Sequence, residues 1–173
     1  MNKEAKGSGL KHVGKDVGKA AMITAYHEAG HAVACCVFKH AFKEVSIIPE
    51  EGFQGRVRNG GLPEDLVDQI LGKENLSLEE EKLVRETIII SLAGTASECR
   101  FTGEDNWVGS MSDRRKAWAL APILDCRIED FYEPARQFIS SNWKKVEAVA
   151  QALLERHTLS AQQVQEICEN QSG

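Results

Sequence analysis

The chain has 173 residues, 42% hydrophobic, 27% charged and 6% aromatic, the profile of one ordinary globular domain able to bury roughly 70% of its extended surface without disulfides or a structural metal. Its 21 Lys and Arg against 26 Asp and Glu give a net charge of −5, which excludes a nucleic-acid binder that rests on neutralising phosphates. The longest apolar stretches, Ala32–Phe38 and Ile88–Ala96, fall short of the roughly 20 residues a membrane span needs.

Residues 1–20 carry Lys3, Lys6, Lys11, Lys15 and Lys19 with four glycines and no apolar core, and read as a flexible basic tail, not a signal peptide. Gly9 to Lys15 spells most of a phosphate-binding loop, but Asp16 stands where a magnesium-binding hydroxyl is required. From Met22 to Phe38 apolar residues recur every three or four positions, which predicts a helix. Val45–Ile48 and Phe53–Arg58 read as two short strands of a small sheet. A short acidic helix is expected over Leu62–Gly72. The capping box Ser77-Leu-Glu-Glu80 opens a longer helix to about Arg100, whose centre is apolar and ends in five small residues, Ala93-Gly-Thr-Ala-Ser97. Ser112 and Asp113 stand where a helix over Arg114–Ala121 would be capped. Beyond Pro122 the apolar spacing predicts one long amphipathic helix to about residue 155, then a turn at Thr158–Ser160 and a last helix over Ala161–Cys168. The fold class is α+β and predominantly α-helical, with a small β-hairpin or sheet and a C-terminal long-helix subdomain. A single domain is expected over 21–170, its site-bearing part at about 21–121 and its helical part at about 122–170.

His27-Glu28-Ala29-Gly30-His31 lies inside the first helix. Chance alone would place an H-E-x-x-H in roughly 1.5% of chains with five His and this length, so the helical setting carries the weight. Residues four apart share a helix face, and both imidazoles can converge on one Zn²⁺. Glu28, one step round, reaches a zinc-bound water instead, whose pKa the metal lowers to about 7. A catalytic zinc needs a third protein ligand. The metzincin pattern is excluded because Val37 and Ala34 occupy its His and Gly positions. His12, His40 and His157 lie in the tail, past the helix end and near the C-terminus, which leaves Glu98 and Asp113.

Several segments in order resemble the peptidase domain of the FtsH-type ATP-dependent zinc proteases. Ala25-Tyr-His-Glu-Ala-Gly-His-Ala32 is similar to that family's zinc helix, Val45-Ser-Ile-Ile-Pro49 to its following strand, and Ile90–Glu98 to its small-residue helix. Gly109-Ser-Met-Ser-Asp-Arg-Arg-Lys-Ala117 resembles the segment bearing the third zinc ligand, and Leu153–Leu159 the region near its C-terminus. The resemblance implies His27, His31 and Asp113 as zinc ligands and Glu28 as general base. Glu98 would orient a ligand imidazole. Phe53, Gln54, Gly55, Arg56 and Val57 would form the strand against which an extended polypeptide substrate adds by main-chain hydrogen bonds.

The family joins this domain to membrane and ATPase modules that these residues do not contain, so the expected activity is that of a stand-alone, ATP-independent zinc metallopeptidase acting on peptides or unfolded proteins. Homo-oligomers and an ATPase partner in trans are the assemblies the family implies. The competing reading is a non-catalytic zinc-containing adaptor or pseudo-protease that binds a protein partner; an intact Glu28 speaks against it. The cysteines Cys35, Cys36, Cys99, Cys126 and Cys168 are odd in number and lack a C-x-x-C pair, which points to a reducing, cytoplasmic compartment. Cys35 and Cys36 are expected to be inert on a packed helix.

Overall fold

The computed structural model describes residues 10–49, 55–58, 64–73, 75–104 and 111–171. Its elements are α1 (Leu10–Phe38), β1 (Glu44–Ser46), β2 (Arg56–Arg58), α2 (Glu64–Leu71), α3 (Leu78–Thr102), α4 (Met111–Leu120), α5 (Tyr132–Ser141), α6 (Trp143–Arg156), β3 (Thr158–Ser160) and α7 (Ala161–Asn170). Short 3-10 turns at Ala121–Leu124 and Ile128–Phe131 join α4 to α5. The class is α+β, mostly helical, with one small antiparallel sheet. No helix among the described residues is long and apolar enough to cross a membrane.

At the centre lies α3. Every residue from Thr87 to Ser97 is buried, the condition for a helix that is apolar or small on all sides. Buried hydroxyls within it are satisfied locally, Thr87 donating to the Leu83 carbonyl at 2.8 Å and Ser91 to that of Thr87 at 2.9 Å. Ser77 and Glu80 cap its start reciprocally, and Gly103 ends it with φ 74°, a left-handed conformation that glycine adopts without strain.

α1 lies on α3 through small residues. A Cβ on Gly30 would sit 2.5 Å from the Ala93 carbonyl oxygen and 2.8 Å from the Ser97 Cβ, so the two backbones touch where both sequences are small. The Ser97 hydroxyl donates to the Tyr26 carbonyl at 2.6 Å, and Tyr26 stacks on Phe101 at 4.0 Å and on Trp143 at 5.5 Å, tying α1, α3 and α6 together. We expect Gly30→Ala to lower stability by about 1–3 kcal/mol through overpacking, measurable by urea denaturation; an unchanged midpoint would contradict this contact.

Three expectations are corrected. First, α1 begins at Leu10, so residues 10–20, expected as tail, are helical. The stretch has no proline, and its glycines cost about 1 kcal/mol each relative to alanine, a small penalty when a formed helix is only being extended. Secondly, the long C-terminal helix is broken in two at Asn142, whose φ and ψ are −112° and 16°. Its side-chain amide donates to the Phe138 carbonyl at 2.9 Å, the local competition with helical hydrogen bonding that Asn and Ser favour. The break sets α5 against α3 and α6 against α1, so Ile139 on one and Val149 and Leu153 on the other all reach the core. Thirdly, Thr158–Ser160 is a strand, not a turn. The sheet order is β2-β1-β3, all antiparallel, with Val45 facing Val57 on one side and Leu159 on the other. His157 ends α6 in a left-handed conformation, φ 66°, and its carbonyl accepts from the Ile47 N–H at 2.9 Å, which reverses the chain directly into β3. The sheet thereby fastens the C-terminal α7 to the segment that follows α1.

Candidate metal centre

His27 and His31 sit one turn apart on the part of α1 that faces α3 and α4. Asp113 comes from the first turn of α4, not from a cap position as the sequence suggested, because the helix already starts at Met111. His27 Nε2 lies 2.9 Å from Asp113 Oδ2, His31 Nε2 lies 3.4 Å from the same oxygen, and the two Nε2 atoms are 3.2 Å apart. A zinc ion with ligands about 2.0–2.1 Å away in tetrahedral geometry needs ligand atoms about 3.3–3.4 Å apart. The donor set, two imidazoles and a carboxylate, is that of a borderline metal such as Zn²⁺, and these are the residues among those described whose ligand atoms cluster for a metal.

The outer ring nitrogens are both engaged. His27 Nδ1–H donates to Glu98 Oε2 at 3.1 Å, and His31 Nδ1–H donates to the Ile90 carbonyl at 2.7 Å. These bonds fix both tautomers with Nε2 turned inward, the arrangement that prepares imidazole for a metal. Glu98 and Ile90 are both on α3, so one helix orients both imidazoles. That same helix forms the floor: a Cβ on Gly94 would lie 2.3 Å from His31 Nε2 and 2.7 Å from His27 Nε2.

Electrostatics follow from the crowding. Burial pulls the His27 pKa down, but hydrogen bonds to Asp113 and Glu98 and the nearby carboxylate charges outweigh it, and the imidazole is pushed up to about 10. His31 is raised on the same balance, burial opposing and Asp113 prevailing. Burial would raise Asp113, yet His31 and His27 hold its carboxyl well below the usual carboxylate range. Glu28, 6% exposed, is raised by burial, with His31 and His27 pulling the other way and Asp113 adding to the rise.

A proton on His27 Nε2 thus occupies the place a metal would take, and binding must displace it. We expect apparent zinc affinity to rise at least about tenfold per pH unit between about pH 6 and 8, read by competition with a chelating dye; a flat profile would contradict the protonated imidazole. Asp113→Asn and Glu98→Gln are expected to differ. The first removes a carboxylate from the cluster that could hold the metal and should leave zinc weakly held or lost, whereas the second should weaken affinity or activity about 10–100-fold without removing a member of that cluster. Full zinc occupancy in Asp113→Asn with loss in Glu98→Gln would reverse the two assignments.

Of the expected substrate strand, Phe53 and Gln54 lie outside the described residues. Gly55 passes directly over Glu28: a Cβ there would lie 2.8 Å from Thr24 Cγ2 and 2.9 Å from Glu28 Cγ. Arg56 and Val57 follow in β2, an edge of the sheet. His40 stands apart, its Nε2 3.2 Å from Glu86 Oε2, and His157 serves the turn into β3. Two participants escaped the sequence reading, the Ile90 carbonyl and Gly94. The run of small residues signalled close packing around Gly94, but nothing in it distinguished packing against backbone from packing against the His27 and His31 imidazoles.

No family model matches the chain. Among curated proteins it is similar to "ATP-dependent zinc metalloprotease FtsH" of Thermus thermophilus, 28% identical over 192 aligned residues that cover 85% of this chain and 29% of that protein. It is also similar to "ATP-dependent zinc metalloprotease FtsH 2" of Methylacidiphilum infernorum, 27% identical with 83% and 28% covered. A rice protein, "ATP-dependent zinc metalloprotease FTSH 9, chloroplastic/mitochondrial", is 23% identical with 84% and 22% covered. The chain resembles FtsH-type ATP-dependent zinc metalloproteases over most of its length, and spans less than a third of each of these relatives.

Proposed function

We propose that this chain is an FtsH-like peptidase unit over about residues 21–170, a zinc metalloendopeptidase that hydrolyses peptide bonds in peptides or unfolded polypeptides without ATP. The observation that carries the reading is the convergence of His27, His31 and Asp113 beside a buried Glu28. Zinc, held by those three side chains, would supply Lewis-acid polarisation of a carbonyl and a water of lowered pKa. Glu28 acts as the base: its raised pKa suits a carboxylate that takes a proton from attacking water and returns it to the leaving amine. Glu98 and the Ile90 carbonyl keep the imidazoles in place, and Gly94 leaves them room. The β2 edge, with Gly55 against Glu28, is suited to hold an extended chain by main-chain hydrogen bonds so that its scissile bond lies near the base.

The Gly9–Lys15 run offers no nucleotide site of its own, because Asp16 stands in place of the hydroxyl residue of a phosphate-binding loop. A cytoplasmic setting agrees with cysteines that lack any C-x-x-C pairing. The test is cleavage of an unfolded casein-like protein by the purified chain. We expect cleavage that a chelator stops, zinc restores and ATP leaves unchanged; a strong ATP requirement, or no cleavage at full zinc occupancy, would refute the proposal.

A further inference from the structure

A cavity of about 310 Å³ opens between the C-terminal end of α3 and α5. That volume falls at the small end of ligand pockets, roughly 300–1,000 Å³. The cavity is separate from the metal centre. At about 100° per residue, Arg100 points about 200° and Gly103 about 140° away from Glu98 round the helix, so the flank of α3 that lines the cavity is not the one that orients His27.

Charge is sorted within it. Arg100 on α3 and Arg136 on α5 contribute guanidinium groups, Ser140 a hydroxyl and Glu104 a carboxylate just past the end of α3, while Ala96 and Gly103 keep the wall low. Arg100 is fixed at two points. Its Nη1 donates to Ser140 Oγ at 2.8 Å, and the guanidinium carbon sits 4.7 Å from the centre of the Trp143 ring. A guanidinium carries five N–H donors in one plane, so a group tethered in this way keeps others for a ligand and loses little freedom when it binds one. Arg136 Nη1 comes within 3.8 Å of Glu133 Oε2, too far for a hydrogen bond. The negative pole lies at the end of α3. The last carbonyls of a helix give its C-terminus a partial negative charge, and Glu104 adds a full one there, its backbone N–H donating to Thr102 Oγ1 at 3.2 Å.

The geometry points to a binding site for a small zwitterion, a free α-amino acid or dipeptide, with its carboxylate on Arg100 and Arg136 and its ammonium on Glu104 and the end of α3. A plain anion such as phosphate would satisfy the guanidiniums but be repelled by Glu104 and the helix end. A plain cation would be repelled by two arginines. A molecule that carries both charges on neighbouring atoms meets an opposite charge at each end, and charge-assisted hydrogen bonds at both ends are the strong kind. Binding here requires neither the metal nor hydrolysis, so its test stands apart from that of the proposed function.

The test uses the full chain, zinc-loaded and isotope-labelled, titrated with alanylalanine while backbone amide resonances are followed. We expect saturable shifts at Gly103 and Ser140 with a dissociation constant below about 1 mM, within reach of so few heavy atoms. Acetylation of the dipeptide's amine or amidation of its carboxylate should weaken binding at least about tenfold, the loss expected for one charged hydrogen bond. Arg136→Gln and Glu104→Gln should each do the same. Shifts confined to α1 around His31 that survive both substitutions would place the dipeptide at the metal centre and overturn the proposal. Inorganic phosphate bound as tightly as the dipeptide, with Glu104→Gln harmless, would make the cavity a plain anion site and overturn it too, as would the absence of any shift at Gly103 and Ser140.

Discussion

Replacing Glu28 with Gln is expected to lower peptide hydrolysis by about 10²–10⁴-fold while leaving zinc bound at its normal stoichiometry. The amide has almost the same shape as the carboxylate but cannot take a proton, and general-base catalysis contributes about this much. Glu28 is 6% exposed, near enough to His31, His27 and Asp113 for their charges to act on it, and outside the cluster His27, His31 and Asp113. Removal of its charge also relieves the mutual repulsion with Asp113 that helps to raise its pKa, and metal binding has no reason to weaken. Parallel measurements of zinc content and cleavage rate check both halves. Undiminished cleavage would eliminate Glu28 as the base, and loss of zinc together with activity would make it a structural partner of the ligands.

Gly94→Ala is expected to have an equally large effect from a position that makes no chemical contribution. A methyl group at Gly94 would fall 2.3 Å from His31 Nε2 and 2.7 Å from His27 Nε2, well inside van der Waals contact. Either the imidazoles rotate away from Asp113, which breaks their bonds to Glu98 and the Ile90 carbonyl, or α3 withdraws from α1. Gly30 and the Ala93 carbonyl already fix that helix approach, so the imidazoles are the part that yields. Zinc content should fall to a small fraction of wild type, with activity falling in step. Gly18→Ala is the matching control, because nothing lies within 4 Å of a Cβ there and the change favours helix by about 1 kcal/mol. Normal zinc content in Gly94→Ala, measured by elemental analysis on folded protein, would contradict the described floor of the site.

The two examples mark what was legible in the amino-acid sequence. Glu28 could be named from spacing alone, since a helix forces residues 27 and 31 to one face and offers 28 beside them. Glu98 and Asp113 could be named as competitors by elimination, and the family resemblance divided them into an orienting acceptor and a ligand; their distances, 3.1 Å from the outer and 2.9 Å from the inner nitrogen of His27, needed coordinates. The capping boxes at Ser77 and Ser160 were equally readable, because their hydrogen bonds close within three residues. What escaped depends on contacts distant in the chain. Thr158–Ser160 becomes a strand only because Glu44–Ser46 pairs with it, and three residues are too few to carry a period of two. The break at Asn142 follows from the need of α5 and α6 to face different partners, α3 and α1, while their apolar spacing runs on as if in one helix. Gly94 looked like any small residue of a packed helix.

The central claim is that one metal held by His27, His31 and Asp113 makes this chain a peptidase. Its most direct test is a titration of chelator-stripped protein with zinc while cleavage of a fluorogenic unfolded polypeptide is followed. The rate is expected to start at background and rise linearly to a break at one zinc per chain, without ATP. Full activity in the stripped protein, or none once one zinc per chain is bound, would contradict it.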